Sequence, residues 1–220
     1  MNLNIPYMET DNKLLNDAYR IAAGDIVGNI VYYQNGLLTE EKPCMIAGLD
    51  YNTPWTRDTA INIWNALSIL SPEVSKNTLL AVLEEEEGNI YIGGQYWDSI
   101  IWMIGAREYC RFHKDDNFYR LAFEAGRNSV HRLEEDEFDE EDGLFRGPAV
   151  YGDGIAAYPD KYSKCPNQGS GILEWVDYPG NPVYPKGYGI PMKALSTNCV
   201  YFKVYEILAE MAHALGEPAK

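Results

Sequence analysis

The sequence predicts an all-α chain built from helical hairpins, and three observations predict it. Apolar residues recur at helical spacing in six stretches of the 220-residue chain. Ser71-Pro72-Glu73 follows Leu70 directly, and Asp115-Asp116 follows the fourth stretch, so the helices on either side of each junction must fold back on one another. The loops before two of the helices both carry an aromatic and an acid: Trp55 with Asp58, and Trp97 with Asp98. The unit that repeats is therefore loop, inner helix, tight turn, outer helix, without repetition of sequence.

Each element has its own signal. Residues 12–34 place Leu14, Leu15, Ala18, Ile21, Ala22, Ile26, Ile30 and Val31 in helical register, weakened at Gly24 and Gly28 and stopped by Asn35-Gly36. Lys42 to Asp50 reads as a short extended approach. The next helix carries Ala60, Ile61, Ile63, Trp64, Leu67 and Leu70. Ser71 as cap, Pro72 at the first position and Glu73 in the first turn then start a helix expected to reach Glu86, with Glu84–Glu87 as its solvated end. Gly88–Gly94 reads as a loop or strand. Ile100, Ile101, Met103, Ile104 and Tyr109 make the following helix apolar on most sides. Asp115 or Asp116 caps its partner, which carries Phe118, Leu121, Ala122, Ala125 and Leu133 on one face, and Glu134–Gly143 reads as a solvated acidic linker. Leu195 to Leu215 forms the last helix, closed by Gly216 and Pro218.

Between the last two helices the composition changes. Residues 143–191 hold nine of the 19 glycines and seven of the 12 prolines, so they form a loop rather than an element. Loops of this length are functional or disordered. Phe145, Tyr151, Tyr158, Tyr162, Trp175, Tyr178, Tyr184 and Tyr188 favour an ordered, functional one. The whole chain, 1–220, reads as one domain or a fragment of one.

Composition excludes several classes. A net charge of −15 and a pI near 4.5 oppose nucleic-acid binding, which needs a basic surface. No apolar run approaches the roughly 18–20 residues of a membrane span. Cys44, Cys110, Cys165 and Cys199 fit no zinc or redox spacing, and Cys110 and Cys199 read as buried thiols. The three histidines are dispersed on helices as surface or helix-end residues. No cofactor and no metal are expected. The start, MNLNIPYMETDNK, has no signal-peptide pattern, which implies a cytoplasmic protein by default, or a periplasmic or secreted one if residues are missing upstream.

The chemistry concentrates in two places. Asp50–Leu70 puts Trp55, Arg57 and Asp58 at the positive end of a helix: an aromatic plate, a fork of donors and a carboxylate. That set suits a sugar, whose ring stacks on indole and whose hydroxyls bind Arg and Asp bidentately. The plainer alternative is a helix-start Asp serving the dipole and a Trp serving the core. In the long loop, Asp153 lies between Gly152 and Gly154, after Tyr151 and the apolar Pro148-Ala149-Val150. A carboxyl beside apolar surface holds its proton, as a general acid requires. A Gly-Asp-Gly turn is the alternative.

The Trp55-Thr56-Arg57-Asp58 segment resembles the corresponding segment of the six-hairpin glycosidase superfamily. That group includes glucoamylases, trehalases, processing α-glucosidases, glycogen-debranching glucosidases and α-L-rhamnosidases. The resemblance implies an (α/α)₆ toroid of which this chain supplies the N-terminal half, about three of six hairpins. It implies that Arg57 and Asp58 bind hydroxyls of the −1 sugar and that Asp153 is the general acid. Tyr151-Gly152 stands where those enzymes have Trp-Met or Gly-Met. Trp55, Trp97 and Tyr151 would wall the site, and Asp98 and Arg146 would add polar contacts. The implied reaction is inverting hydrolysis of an α-glucoside-type oligosaccharide, with the two carboxyl groups roughly 6.5–9.5 Å apart. The base, a late Glu in that family, lies outside this chain.

Two rivals keep part of this reading. A carbohydrate-binding protein without catalysis retains the aromatic and Arg-Asp features and needs no base. A helical interaction scaffold would bind a protein partner and no sugar. The expected partners are an oligosaccharide and either a second copy or a missing half-barrel, which would cover helix faces left apolar.

Overall fold

The computed structural model describes residues 5–48, 50–94, 98–147 and 193–217. Its elements are α1 (Lys13–Gly28), β1 (Ile30–Tyr33), β2 (Lys42–Met45), α2 (Thr56–Asn62), a π turn (Ile63–Leu67), α3 (Ser68–Leu70), α4 (Pro72–Ala81), β3 (Leu83–Glu86), β4 (Asn89–Ile92), α5 (Asp98–Phe112), α6 (Asp116–Glu137), β5 (Phe138–Asp139), β6 (Leu144–Phe145) and α7 (Leu195–Leu215). With α2, the π turn and α3 taken as one rod, there are six helices among the described residues. No helix among them is long and apolar enough to cross a membrane.

The all-α hairpin toroid is not what these residues form. Three antiparallel two-stranded sheets stand among the helices, so the fold is mixed α and β, and its six helices do not make a toroid. Each sheet replaces something read as helix or linker. The first helix stops at Gly28 instead of Gln34, because Ile30-Val31-Tyr32-Tyr33 is β-branched and aromatic and pairs with Lys42–Met45. The helix expected to reach Glu86 ends at Ala81. Leu83–Glu86 then pairs with Asn89–Ile92 across a turn in which both Glu87 and Gly88 have positive φ, 51° and 81°. Two successive positive φ values match the right-handed twist of a two-residue hairpin. The acidic linker is α6 running on to Glu137, followed by the β5–β6 hairpin.

The long-period predictions meet their elements. Asp115 is the cap that starts α6, its carboxylate accepting from Phe118 N–H at 3.0 Å. Gly216, with φ 71°, closes α7 in the left-handed conformation. Among the thiols, Cys44 is buried and Cys110 half-buried, and burial pushes both up to about 12. Cys199, expected inside, is exposed.

Packing fixes the direction of the helices. Arg57 meets Asp98, Ala60 meets Gly105 and Ser68 meets His113, so the α2–α3 rod and α5 run side by side in one direction. A Cβ at Gly105 would lie 2.8 Å from Ala60 Cα, so only glycine permits this approach. Helix α6 returns antiparallel to α5. Helix α7 returns again, with Asn198 at Phe145, Tyr205 at Glu134 and Glu210 at Arg107. The core between them holds Trp102, Phe118, Ile63, Leu67 and Tyr201, the last stacked on Phe145 at 3.7 Å. The starts of α2, α5 and α7 and the end of α6 consequently gather at one end of the bundle.

Candidate functional site

That end carries most of the chemistry-bearing residues. Trp55 is extended and precedes α2, so its indole stands off the helix start. Thr56 Oγ donates to Gly93 O at 2.8 Å and ties this start to the end of the β3–β4 hairpin. Arg57, one residue on, points across to α5. Its Nη1 donates to both carboxylate oxygens of Asp98, at 2.9 and 3.1 Å. Arg57 is 8% exposed and Asp98 0%. The guanidinium also lies over the Trp55 ring, 5.1 Å from its centroid. Asp58 occupies the first turn of α2, half-buried, where its charge favours the helix dipole.

Beside this group is a cavity of about 140 Å³. Tyr33, Pro54, Trp55, Glu84, Gly94 and Asp98 are among its walls. The cavity is small against the roughly 300–1,000 Å³ of drug-sized ligand sites, so it admits one small ring rather than a chain of them. Trp55 Nε1 is buried and has no hydrogen-bond partner among the described residues. A buried indole N–H ordinarily finds an acceptor. Burial raises the Tyr33 phenol, with Cys44 adding to the shift, so the hydroxyl keeps its proton as a donor.

A second buried acid lies further along the same end. Glu137, the last residue of α6, is 3% exposed, and its Oε2 has no partner among the described residues. Burial, reinforced by the neighbouring Asp136 charge and only partly offset by Arg146, pushes its carboxyl up to about 8. Ser129 shares the Ile92 strand end with Ser99. Eight residues of helix separate Ser129 from Glu137, which puts the carboxyl roughly 12 Å along the axis from the start of α5. Arg146 pairs with Asp139 at 2.8 Å, and Lys193 pairs with Asp139 at 2.8 Å and Asp142 at 2.5 Å. With the parallel bridge between Gly147 and Lys193, these contacts hold the two ends of the 148–192 stretch together.

The structure thus brings Trp55, Arg57 and Asp98 into one contact group, with Asp58 a residue away. It sets Arg146 apart, against the β5–β6 hairpin. Trp97, Tyr151 and Asp153 lie outside the described residues, as does the long loop beyond residue 147. No group of three His, Cys, Asp or Glu side chains among the described residues is placed to hold a metal. Two residues escaped the sequence reading. Glu84 was assigned to a solvated helix end and instead lines the cavity from β3. Glu137 belongs to α6 rather than to a linker, and it continues the stripe of Phe123, Gly126, Val130 and the half-buried Leu133 in helical register. Comparison with protein-family models, with curated proteins and with solved structures finds no match to this chain.

Proposed function

We propose that this chain binds an oligosaccharide at the Trp55–Arg57 centre and hydrolyses an α-glucoside-type bond there by inversion, with Asp153 as the proton donor. One observation carries the binding half: an indole with an unpartnered N–H, backed by a guanidinium locked on a buried carboxylate, walls a cavity the size of a single ring. An indole face stacks a pyranose. Arg57 is held by Asp98 and lies over the indole, so the Trp55 plate is backed by a guanidinium that is already fixed in place. The Trp-Thr-Arg-Asp resemblance supports the same ligand class and supplies the acid and the stereochemistry. The resemblance bears on chemistry alone, since the toroid is not the fold. Hydrolysis of maltooligosaccharides is the test. Asp153→Asn should remove turnover while leaving sugar affinity intact, and retained turnover on a substrate with a poor leaving group would remove Asp153 from the acid role.

A second reading is favoured by one feature. Asp98 is tied to Arg57 by two hydrogen bonds and is therefore unsuited to activating water. Sugar binding without catalysis fits that arrangement. It predicts saturable oligosaccharide binding and no product from any glycoside.

A further inference from the structure

We infer that the cavity beside Trp55 selects an amino sugar, whose ammonium group sits on Glu84. This inference rests on the sugar-site reading and adds to it the charge of the ligand.

The hairpin builds the charge pattern. Tyr91, Gly93 and Glu84 share one face of β3–β4, since Glu84 pairs with Tyr91 and Gly93 N–H donates to Val82 O at 2.9 Å. A Cβ at Gly93 would collide with the Glu84 carboxylate, so glycine lets that side chain lie across the strand end toward the cavity. At Gly94 φ is +117°, and a Cβ there would collide with Asp98 Oδ2 and stand 2.8 Å from Thr56 Oγ. The two glycines thereby bring two carboxylates to the same wall, one on each side. Asp98 is neutralised from behind by Arg57 at 2.9 Å. Glu84 has no ion-pair or hydrogen-bond partner among the described residues. A cation on that face, Arg132, lies over Tyr91, 3.7 Å from its centroid, and pairs with Glu86 at 2.7 Å. No Lys, Arg or His is among the described residues lining the cavity.

A ligand here meets one uncompensated carboxylate, the Trp55 indole and the apolar sides of Pro54 and Tyr33. A sugar hydroxyl can donate to Glu84. An ammonium does better at Glu84, because a charge-assisted bond exceeds a neutral one. A uronate meets repulsion. Glu84 is exposed, which limits the preference to about fivefold and makes it sensitive to salt.

The test is ligand-observed NMR with D-glucosamine, methyl α-D-glucoside and D-glucuronate, at a mildly acidic pH where the amine carries its proton. The expected order of affinity is glucosamine, then the glucoside about fivefold weaker, then glucuronate weakest. Glu84→Gln should bring the first two together. Glu85→Gln, which removes the same charge one residue away, should keep the preference. Equal affinities in the unmodified protein, or a preference erased equally by Glu85→Gln, would overturn the amino-sugar assignment while leaving the sugar site standing. Failure of all three sugars to bind, and of maltooligosaccharides as well, would overturn the sugar-site reading and this inference with it.

Discussion

Asp98 and Glu137 are both acids withdrawn from water at the same end of one helical bundle, yet they are held by opposite means. Asp98 opens α5 and receives two bonds from Arg57. Glu137 ends α6, where the dipole disfavours a negative charge, beside Asp136 and without a hydrogen-bond partner for Oε2 among the described residues. The first junction stabilises a charge by pairing it, and the second removes the charge by keeping the proton. A buried ion pair costs most when one member is lost, whereas a buried neutral acid costs most when pH strips its proton. The first therefore suits a fixed binding scaffold at any ordinary pH. The second makes the α6–β5 turn sensitive to alkali.

The comparison breaks most sharply at Arg57. Arg57→Met should take from the buried Asp98 both bonds of its guanidinium partner and cost about 3–5 kcal/mol in urea denaturation. The double variant with Asp98→Asn should recover much of that loss; additive losses would mean that the pair is not the coupling. Glu137 should give the next effect, and only with pH. Its folded-state carboxyl is raised from 4.5 to about 8, so the folded protein holds the proton more tightly than the unfolded chain. Its contribution is complete below the ordinary carboxyl range and is lost as pH climbs toward 8, at no more than about 1.4 kcal/mol per pH unit. Glu137→Gln should flatten that slope, and an unchanged slope would place the titration elsewhere. Gly94→Ala comes third. A side chain at φ +117° pressed on Asp98 should cost about 2 kcal/mol, read from the thermal midpoint. Trp55→Ala should be the smallest in stability, because the ring is only half-buried, but should weaken oligosaccharide binding about tenfold, the scale of one lost stacking contact.

The same contrast explains what the sequence disclosed. Helices α5, α6 and α7 each span four turns or more, so their 3.6-residue stripes and their caps at Asp115 and Gly216 stand out. The strands are two to four residues long, too short for alternation to emerge. Leu83–Glu86 is nearly all glutamate and has no strand propensity of its own. Its pairing is set by the Glu87-Gly88 turn and by Leu83 and Ile92 meeting the core. The site divides in the same way. Trp55, Arg57 and Asp58 are neighbours in sequence and were legible as a group. The bond from Arg57 to Asp98 crosses 41 positions, and only the packing of α2 on α5 reveals it. The sequence pairs Asp98 with Trp97, whereas in the fold Arg57 is what holds its carboxylate. Glu84 reached the cavity only because the helix expected to carry it is a strand.

The central claim is that the indole of Trp55 is the plate of a sugar site. Nuclear magnetic resonance of the Trp55 Nε1–H signal, assigned by its loss in Trp55→Phe, reads that claim directly during a titration with maltotriose. The account predicts a saturable shift of that signal as a sugar ring stacks on the indole, with the shift of Trp102, bonded to Leu79 O in the core, unmoved. A Trp55 signal that stays in place while maltotriose binds elsewhere, or does not bind at all, would contradict it.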